Sequence, residues 1–316
     1  MHGWPESWFS WRHQLKACKA AGYRGIAPDM RGYGGTDSPD DASSYICYTL
    51  ASDMLALLQH IGAPTAALVG HDHGAATGWT LSLLHPDVFT IYCAMSVPYS
   101  PRRPDGPSPI EGMRANFGDE RDPASDPGYF YILHHQMPEA SVQYGANSRQ
   151  VLNMLYGDSK AAGATPPEIR TDRMFVDGVA KGMWERGPSP GALSDWISPE
   201  ELDYVVGEFD SAGWNGGLNW YRVMDVNWHA TPQLAGAKLT QPTQFIAGTA
   251  DSVITMSGGI DTIKKALGAF CLAGEPPVFV EGAGHWIQQE EPEAVNETLL
   301  AFANKHRALF SNQSKI

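Results

Sequence analysis

In the first third of the chain, apolar residues fall into two alternating patterns. Short β-rich runs at Tyr23 to Pro28, Ala66 to Val69 and Val88 to Ser96 predict strands. Between them Leu50, Met54, Leu57 and Leu58 make a helical stripe over Thr49 to His60, closed by Ala63-Pro64. A second helix is predicted from Ala75 to Leu84, and it stops at His85 because the residue before Pro86 is pushed out of the helical region. Strands alternating with helices predict an α/β fold with a mostly parallel, helix-covered sheet.

From Pro98 to about Pro232 the alternation stops. This stretch is rich in Pro, Gly, Trp and Tyr, with helical fragments such as Ser148 to Tyr156 and no alternating strands, and it predicts an inserted, mainly helical cap. The strand rhythm returns at Thr243 to Ala247 and Val278 to Val280. Helices are predicted near Ile260 to Leu267 and from Pro292 to about Lys305, proline being favoured in a first turn. The expected organisation is a core over 1–97 and 233–316 with a cap over 98–232, and a pocket where they join.

Composition narrows the partners. The chain carries 35 Asp and Glu against 22 Lys and Arg, a formal charge of −13, without a basic run. Such a surface repels phosphate backbones and anionic headgroups, which argues against nucleic acid and membrane surfaces and for a small neutral ligand. No stretch approaches the roughly 20 apolar residues of a membrane span, and Met1 to Pro5 lacks the basic and apolar regions of a signal peptide. Cys18, Cys47, Cys93 and Cys271 stand far apart, so a reducing, cytoplasmic setting is expected. The terminal Ser314-Lys315-Ile316 resembles a peroxisomal Ser-Lys-Leu address, which makes the peroxisome the second expectation.

Candidate chemistry starts at Gly70-His71-Asp72-His73-Gly74, which follows a predicted strand and opens a helix. This is the G-x-Nu-x-G elbow with Asp in the nucleophile place; the glycines clear room for a sharp turn that presents the central side chain beside a helix N-terminus. Asp251 lies just after the strand Thr243 to Ala247, and His285 just after Val278 to Val280, where open α/β sheets place their sites. The order Asp72, Asp251, His285 is the nucleophile-acid-base order of α/β-hydrolases. Gly187-Pro188-Ser189-Pro190-Gly191 matches G-x-S-x-G literally, but its prolines predict a loop. His71 with His73, and His134 with His135, are not spaced for a metal, so neither metal nor cofactor is expected.

With these residues in view, the chain resembles the epoxide hydrolase branch of the α/β-hydrolase fold over most of its length. His2-Gly3-Trp4-Pro5 resembles the family's H-G-x-P oxyanion turn, Pro28 to Gly34 its loop after the following strand, and Gly70 to Gly74 its aspartate elbow. Tyr129-Phe130-Tyr131 with Gln136 and Pro138 resembles the segment carrying the first cap tyrosine. Leu218 to Arg222 followed by Asn227-Trp228 resembles the segment carrying the second.

The resemblance implies hydrolysis of a small hydrophobic epoxide by water. Asp72 would attack an oxirane carbon while Tyr131 and Tyr221 donate hydrogen bonds to the departing oxygen, leaving a hydroxyalkyl ester. His285, oriented by Asp251, would activate water to cleave that ester, with the backbone N–H groups of Trp4 and His73 forming the oxyanion hole and His2, Gly3 and Pro5 supporting it. Tyr129 and Tyr144 are alternative bearers of the first phenol. His73 stands where the family usually has Trp, which changes the pocket wall but not a role carried by backbone. Family members have strands before the oxyanion turn, so the sequence is expected to be either an incomplete gene product or a short sheet with an exposed edge. Two other readings share the fold: a haloalkane or haloacid dehalogenase using the same Asp, and a non-catalytic binder of hydrophobic ligands.

Overall fold

The computed structural model describes residues 1–103, 105–117, 129–157, 175–176 and 193–310; the Gly187 to Gly191 loop and Ser314-Lys315-Ile316 lie outside them. In chain order the elements run α1 (Arg12–Ala20), α2 (Cys47–His60), β1 (Ala66–His71), α3 (His73–Leu84), β2 (Phe89–Met95), α4 (Pro109–Phe117), β3 (Tyr129–Phe130), α5 (Tyr131–His135), α6 (Glu139–Gly145) and α7 (Ser148–Tyr156). They continue with β4 (Phe175–Val176), α8 (Pro199–Ala212), α9 (Asn215–Arg222), α10 (Met224–Ala230), β5 (Leu239–Gly248), α11 (Ser252–Met256), α12 (Gly259–Phe270), β6 (Cys271–Gly274), β7 (Val278–Val280), α13 (Ile287–Glu290) and α14 (Pro292–Lys305). Among these none is a helix long and apolar enough to cross a membrane.

The chain divides into two compact units. The first comprises Met1–Pro28, Cys47–Pro104 and Gln233–Ile316. It holds a parallel sheet in which β1 pairs β2, β2 pairs β5, and β5 pairs both β6 and β7. Strands covered on both faces read as nearly continuous apolar runs, and β2 and the second half of β5 do so. On one face Ile91, Cys93, Met95 and Ile246 meet Trp11, Ile287, Val295, Leu299 and Phe302 from the helical layer. The closing helix begins at Pro292 and ends at Lys305, as its pattern predicts.

Two readings of the pattern fail. Tyr23 to Pro28 is not a strand: a strand needs a ladder partner, and no described segment pairs with it. β6 escapes prediction because it is only four residues long and exposes Leu272.

The second unit comprises Asp29–Ile46 and Asp105–Pro232. Helix α8 starts with a full capping box, Ser198 accepting from Glu201 N–H while Glu201 accepts from Ser198 N–H, and Pro199 takes its first position. The loop of residues 29–46 is bound to α9: Trp220 Nε1–H donates to Arg31 O at 2.9 Å and Asn219 Nδ2 to Asp40 O at 3.1 Å. Gly32 and Gly216 allow this, since a Cβ on Gly32 would stand 2.8 Å from the Gly216 backbone. A two-residue antiparallel ladder joins β3 to β4, too short to carry a periodicity.

Candidate active site

Asp72 follows β1 and precedes α3 with φ 50° and ψ −123°, a left-handed backbone that side chains other than glycine rarely take. Its neighbours explain how the turn closes. A Cβ on Gly70 would lie 2.6 Å from Gly74 O, one on Gly74 would strike the Met1 and His2 carbonyls, and one on Gly3 would fall onto the Asp72 side chain. The turn of residues 2–5 can therefore lie directly against the elbow, and Trp4 N–H donates to Asp72 Oδ1 at 2.9 Å. His2, Gly3, Trp4 and Pro5 are all buried; Pro5 is joined to Trp4 by a cis bond, and His2 Nδ1 lies 2.9 Å from Gly3 O. His73 supplies the first residue of α3, where amides lack intrahelical acceptors.

The other oxygen of Asp72 faces the imidazole: His285 Nε2 lies 3.4 Å from Asp72 Oδ2. On the opposite side of the ring, Nδ1 is 3.1 Å from each oxygen of Asp251. Asp251 itself caps α11, accepting from Val253 N–H at 2.9 Å. The structure thus brings Trp4, Asp72, Asp251 and His285 together.

Electrostatics set the protonation. Burial alone would push both carboxyls up, but the imidazole's hydrogen bonds and charge outweigh it and hold Asp72 and Asp251 below the usual carboxylate range. Burial opposes a charged His285, yet Asp251 and Asp72 together raise it well above an ordinary imidazole. Burial lowers His73 despite the pull of Asp72.

Three residues at this site were missed by the sequence reading as site members. Ser96, fully buried, donates its hydroxyl to Asp251 Oδ2 and lies 2.8 Å from His285 Nδ1. Glu6 and His71, both fully buried, form a pair at 2.8 Å between Glu6 Oε2 and His71 Nδ1, while His71 Nε2–H donates to His285 O at 2.7 Å. Glu6 also accepts from Gly3 N–H and from Gln288 Nε2, each at 2.7 Å. Burial would raise the Glu6 carboxyl, but the charge and hydrogen bond of His71 bring it below its ordinary value. The pair thereby ties the turn of residues 2–5, the elbow and the His285 turn into one hydrogen-bonded group. One signal was available for Glu6: an acid set directly behind a Gly-Trp-Pro turn among apolar residues.

The two tyrosines belong to the second unit and meet there. Tyr131 opens α5 and Tyr221 lies near the end of α9, their rings edge to face with centroids 6.1 Å apart. His135 packs against both, at 5.2 Å from Tyr131 and 4.6 Å from Tyr221, and its Nε2 is 3.1 Å from Tyr144 Oη. Arg222 donates to the carbonyls of His135 and Met137, each at 3.0 Å, which binds α9 to α5. Burial pushes the Tyr144 phenol well above its ordinary value and pulls His134 down to about 4, so both are neutral at neutral pH. Of the alternative bearers, Tyr144 is fully buried and Tyr129 lies in β3. Among the described residues no cluster of three or more His, Cys, Asp or Glu is arranged to hold a metal.

Comparison with known proteins gives the family. Residues 1–107 match the family model described as the alpha/beta hydrolase fold. Over 304 residues the chain is 40% identical to epoxide hydrolase A of Mycobacterium tuberculosis, covering 95% of this chain and 88% of that protein. It is 34% identical to epoxide hydrolase 3 of Siraitia grosvenorii, covering 96% and 90%. Among solved structures, an epoxide hydrolase from an endophytic Streptomyces superposes with a TM-score of 0.87 at 35% identity, covering 97% of this chain and 88% of that one.

Proposed function

The chain belongs to the epoxide hydrolase family of the α/β-hydrolase fold, and we propose that it converts an epoxide to a vicinal diol through a covalent ester on Asp72. The observation that carries this reading is the division of labour between the two oxygens of Asp72. Oδ1 is held by Trp4 N–H and Oδ2 faces His285 Nε2.

Oδ2 attacks an oxirane carbon, the C–O bond of the ring breaks, and its electron pair stays on oxygen. Tyr131 and Tyr221 hydrogen-bond that oxygen, one of them supplying the proton that makes it a hydroxyl; an ordinary phenol keeps its proton until about pH 10 and is available for this. Both phenols lie in the inserted segment 98–232, which we read as the cap domain, with 1–97 and 233–316 as the core.

Esterification removes the negative charge of Asp72, and with it part of what keeps His285 protonated; His285 gives up its proton to solvent, and the tyrosine that protonated the ring oxygen takes one back. The neutral imidazole then takes a proton from water, whose oxygen adds to the Asp72 carboxyl carbon. The charge that collects on Oδ1 is met by Trp4 N–H and by the first-turn amide of His73. Collapse breaks the bond between the Asp72 carboxyl carbon and Oδ2, which takes the proton back from His285 and leaves as the second hydroxyl of the diol. The oxygen of water stays on Asp72, whose acid proton passes to His285 and restores the starting ion pair. Asp251 holds the ring in the tautomer this requires.

The test is mass spectrometry of the His285→Gln protein mixed with an aryl epoxide. A stable adduct of the epoxide's mass on the peptide containing Asp72 is expected, and no adduct on that peptide would overturn the reading. For localisation we favour the cytoplasm, with the peroxisome as the alternative; imaging a fusion with and without Ser314-Lys315-Ile316 separates them.

A further inference from the structure

Ser96 stands one residue beyond β2 with φ 69°, a backbone that offers serine no local advantage. Ser96 N–H donates to Ile246 O at 3.0 Å, so the end of β2 is pinned to β5 in that conformation. The effect is to aim the hydroxyl at two residues at once, Asp251 Oδ2 and His285 Nδ1.

Counting protons fixes the direction of these bonds. An ionised Asp251 has none to give, Ser96 has one, and Nδ1 has one. An ionised Asp251 can only accept, so the serine proton goes to it, and Oγ accepts from Nδ1–H, which it shares with the carboxylate oxygens at 3.1 Å.

We propose that Ser96 is a positioning residue for the hydrolytic half of the reaction. Its hydroxyl orients the imidazole and draws charge off Asp251, so that His285 stands neutral once Asp72 is esterified. This rests on the reading of His285 and Asp251 as the water-activating pair.

The surroundings show why such a group is needed. Before substrate reacts, His285 is flanked by Asp72 and Asp251 and is held protonated. A protonated imidazole cannot accept a proton from water. Esterification silences Asp72, but Asp251 remains within 3.1 Å. The other charged or titratable groups around this site are His71, already paired with Glu6 and donating to the His285 carbonyl, His73 beside Asp72, and Glu290, whose carboxylate accepts from the Gly284 and Trp286 amides on either side of His285. Besides the imidazole itself, Val253 N–H and the Ser96 hydroxyl donate to Asp251, and of these two Ser96 also reaches the ring.

Ser96→Ala and Ser96→Gly both delete the hydroxyl, while glycine removes the cost of the left-handed backbone. Single-turnover kinetics with an aryl epoxide would follow ester formation and ester decay from pH 5 to 9 in both variants, the parent and His285→Gln. In both variants the acid limb of ester decay should move up by about one pH unit, slowing decay about tenfold below the limb and little above it, with formation changed less than decay. An unmoved limb, or a rate lowered equally at every pH, would overturn the role of Ser96. So would parental behaviour in Ser96→Gly with a defect only in Ser96→Ala, which would trace the effect to strain. If instead His285→Gln decays at the parental rate, the water-activating reading fails, whatever Ser96 does.

Discussion

In the first unit Asp72, Ser96, Asp251 and His285 each stand just beyond the end of a strand, two of them on backbone with positive φ. In the second unit Tyr131 and Tyr221 sit on helices among aromatic rings, and what brings them together is α5 tied to α9 through Arg222. One set of groups is aimed by the backbone, the other by side-chain packing. The first arrangement suits a nucleophile, since a carboxylate held between an amide and an imidazole cannot drift. The second suits hydrogen-bond donors, which need only reach an oxygen whose position varies with the substrate.

The largest effects should come from breaking the backbone-aimed set. Asp72→Ala should lower turnover by at least about 10⁴-fold and yield no adduct, because it removes the carboxylate proposed to form the ester. His285→Gln should leave ester formation intact and slow its decay by roughly 10³-fold, visible as adduct that accumulates in quenched samples. Steady-state rates and intact-protein mass spectrometry check both. An Asp72→Ala protein that still forms adduct would place the nucleophile elsewhere.

Next in size are the phenols. Removing one hydrogen bond to developing charge typically costs a hundred- to a thousand-fold, about 2.7–4 kcal/mol. Tyr131→Phe and Tyr221→Phe should each slow ester formation by about that factor while ester decay changes little, and the double variant should nearly silence ring opening. Stopped-flow measurement of the adduct-forming phase separates the steps. Should the double variant alkylate Asp72 at the parental rate, the two rings are packing residues and the contrast between the units collapses.

The same contrast decides what could be read from sequence. Asp72 was legible because Gly70 and Gly74 mark the only kind of turn that fits beneath it, and Asp251 and His285 because each follows a β-rich run. Ser96 was not, because the role proposed for it depends on a positive φ and on partners 155 and 189 residues away. The Glu6 and His71 pair, 65 residues apart, was hidden for the same reason, and His71 was weighed only as a metal ligand. Tyr131 and Tyr221 were reached through resemblance, since a tyrosine on a helix carries no local sign separating donor from core. At the level of fold, long elements such as α14 and β5 were legible, whereas Tyr23 to Pro28 has the composition of a strand without a ladder partner to make it one.

The smallest expected effect is in stability, and it has opposite signs for His285 and for His134. In the first unit the folded value of His285 lies well above the ordinary 6.5. Its contribution is therefore complete below about pH 6.5 and is lost as pH rises towards the folded value. The depressed carboxyls of Glu6, Asp72 and Asp251 contribute above about pH 4 and lose that contribution only as pH falls below it. In the second unit burial holds His134 down to about 4, so between about 4 and 6.5 the unfolded chain binds the proton that the folded one refuses. Stability from His134 thus rises with pH over that window. Thermal unfolding of parent, His285→Gln and His134→Gln at pH 5, 7 and 9 would show both slopes. His285→Gln should lose the fall between pH 7 and 9, and His134→Gln should lose the rise between pH 5 and 7, each by about 2–4 °C in Tm. An acid slope unchanged in His134→Gln would mean that the imidazole takes up its proton within the folded unit, and that the neutral surroundings assigned to the tyrosine cluster are wrong.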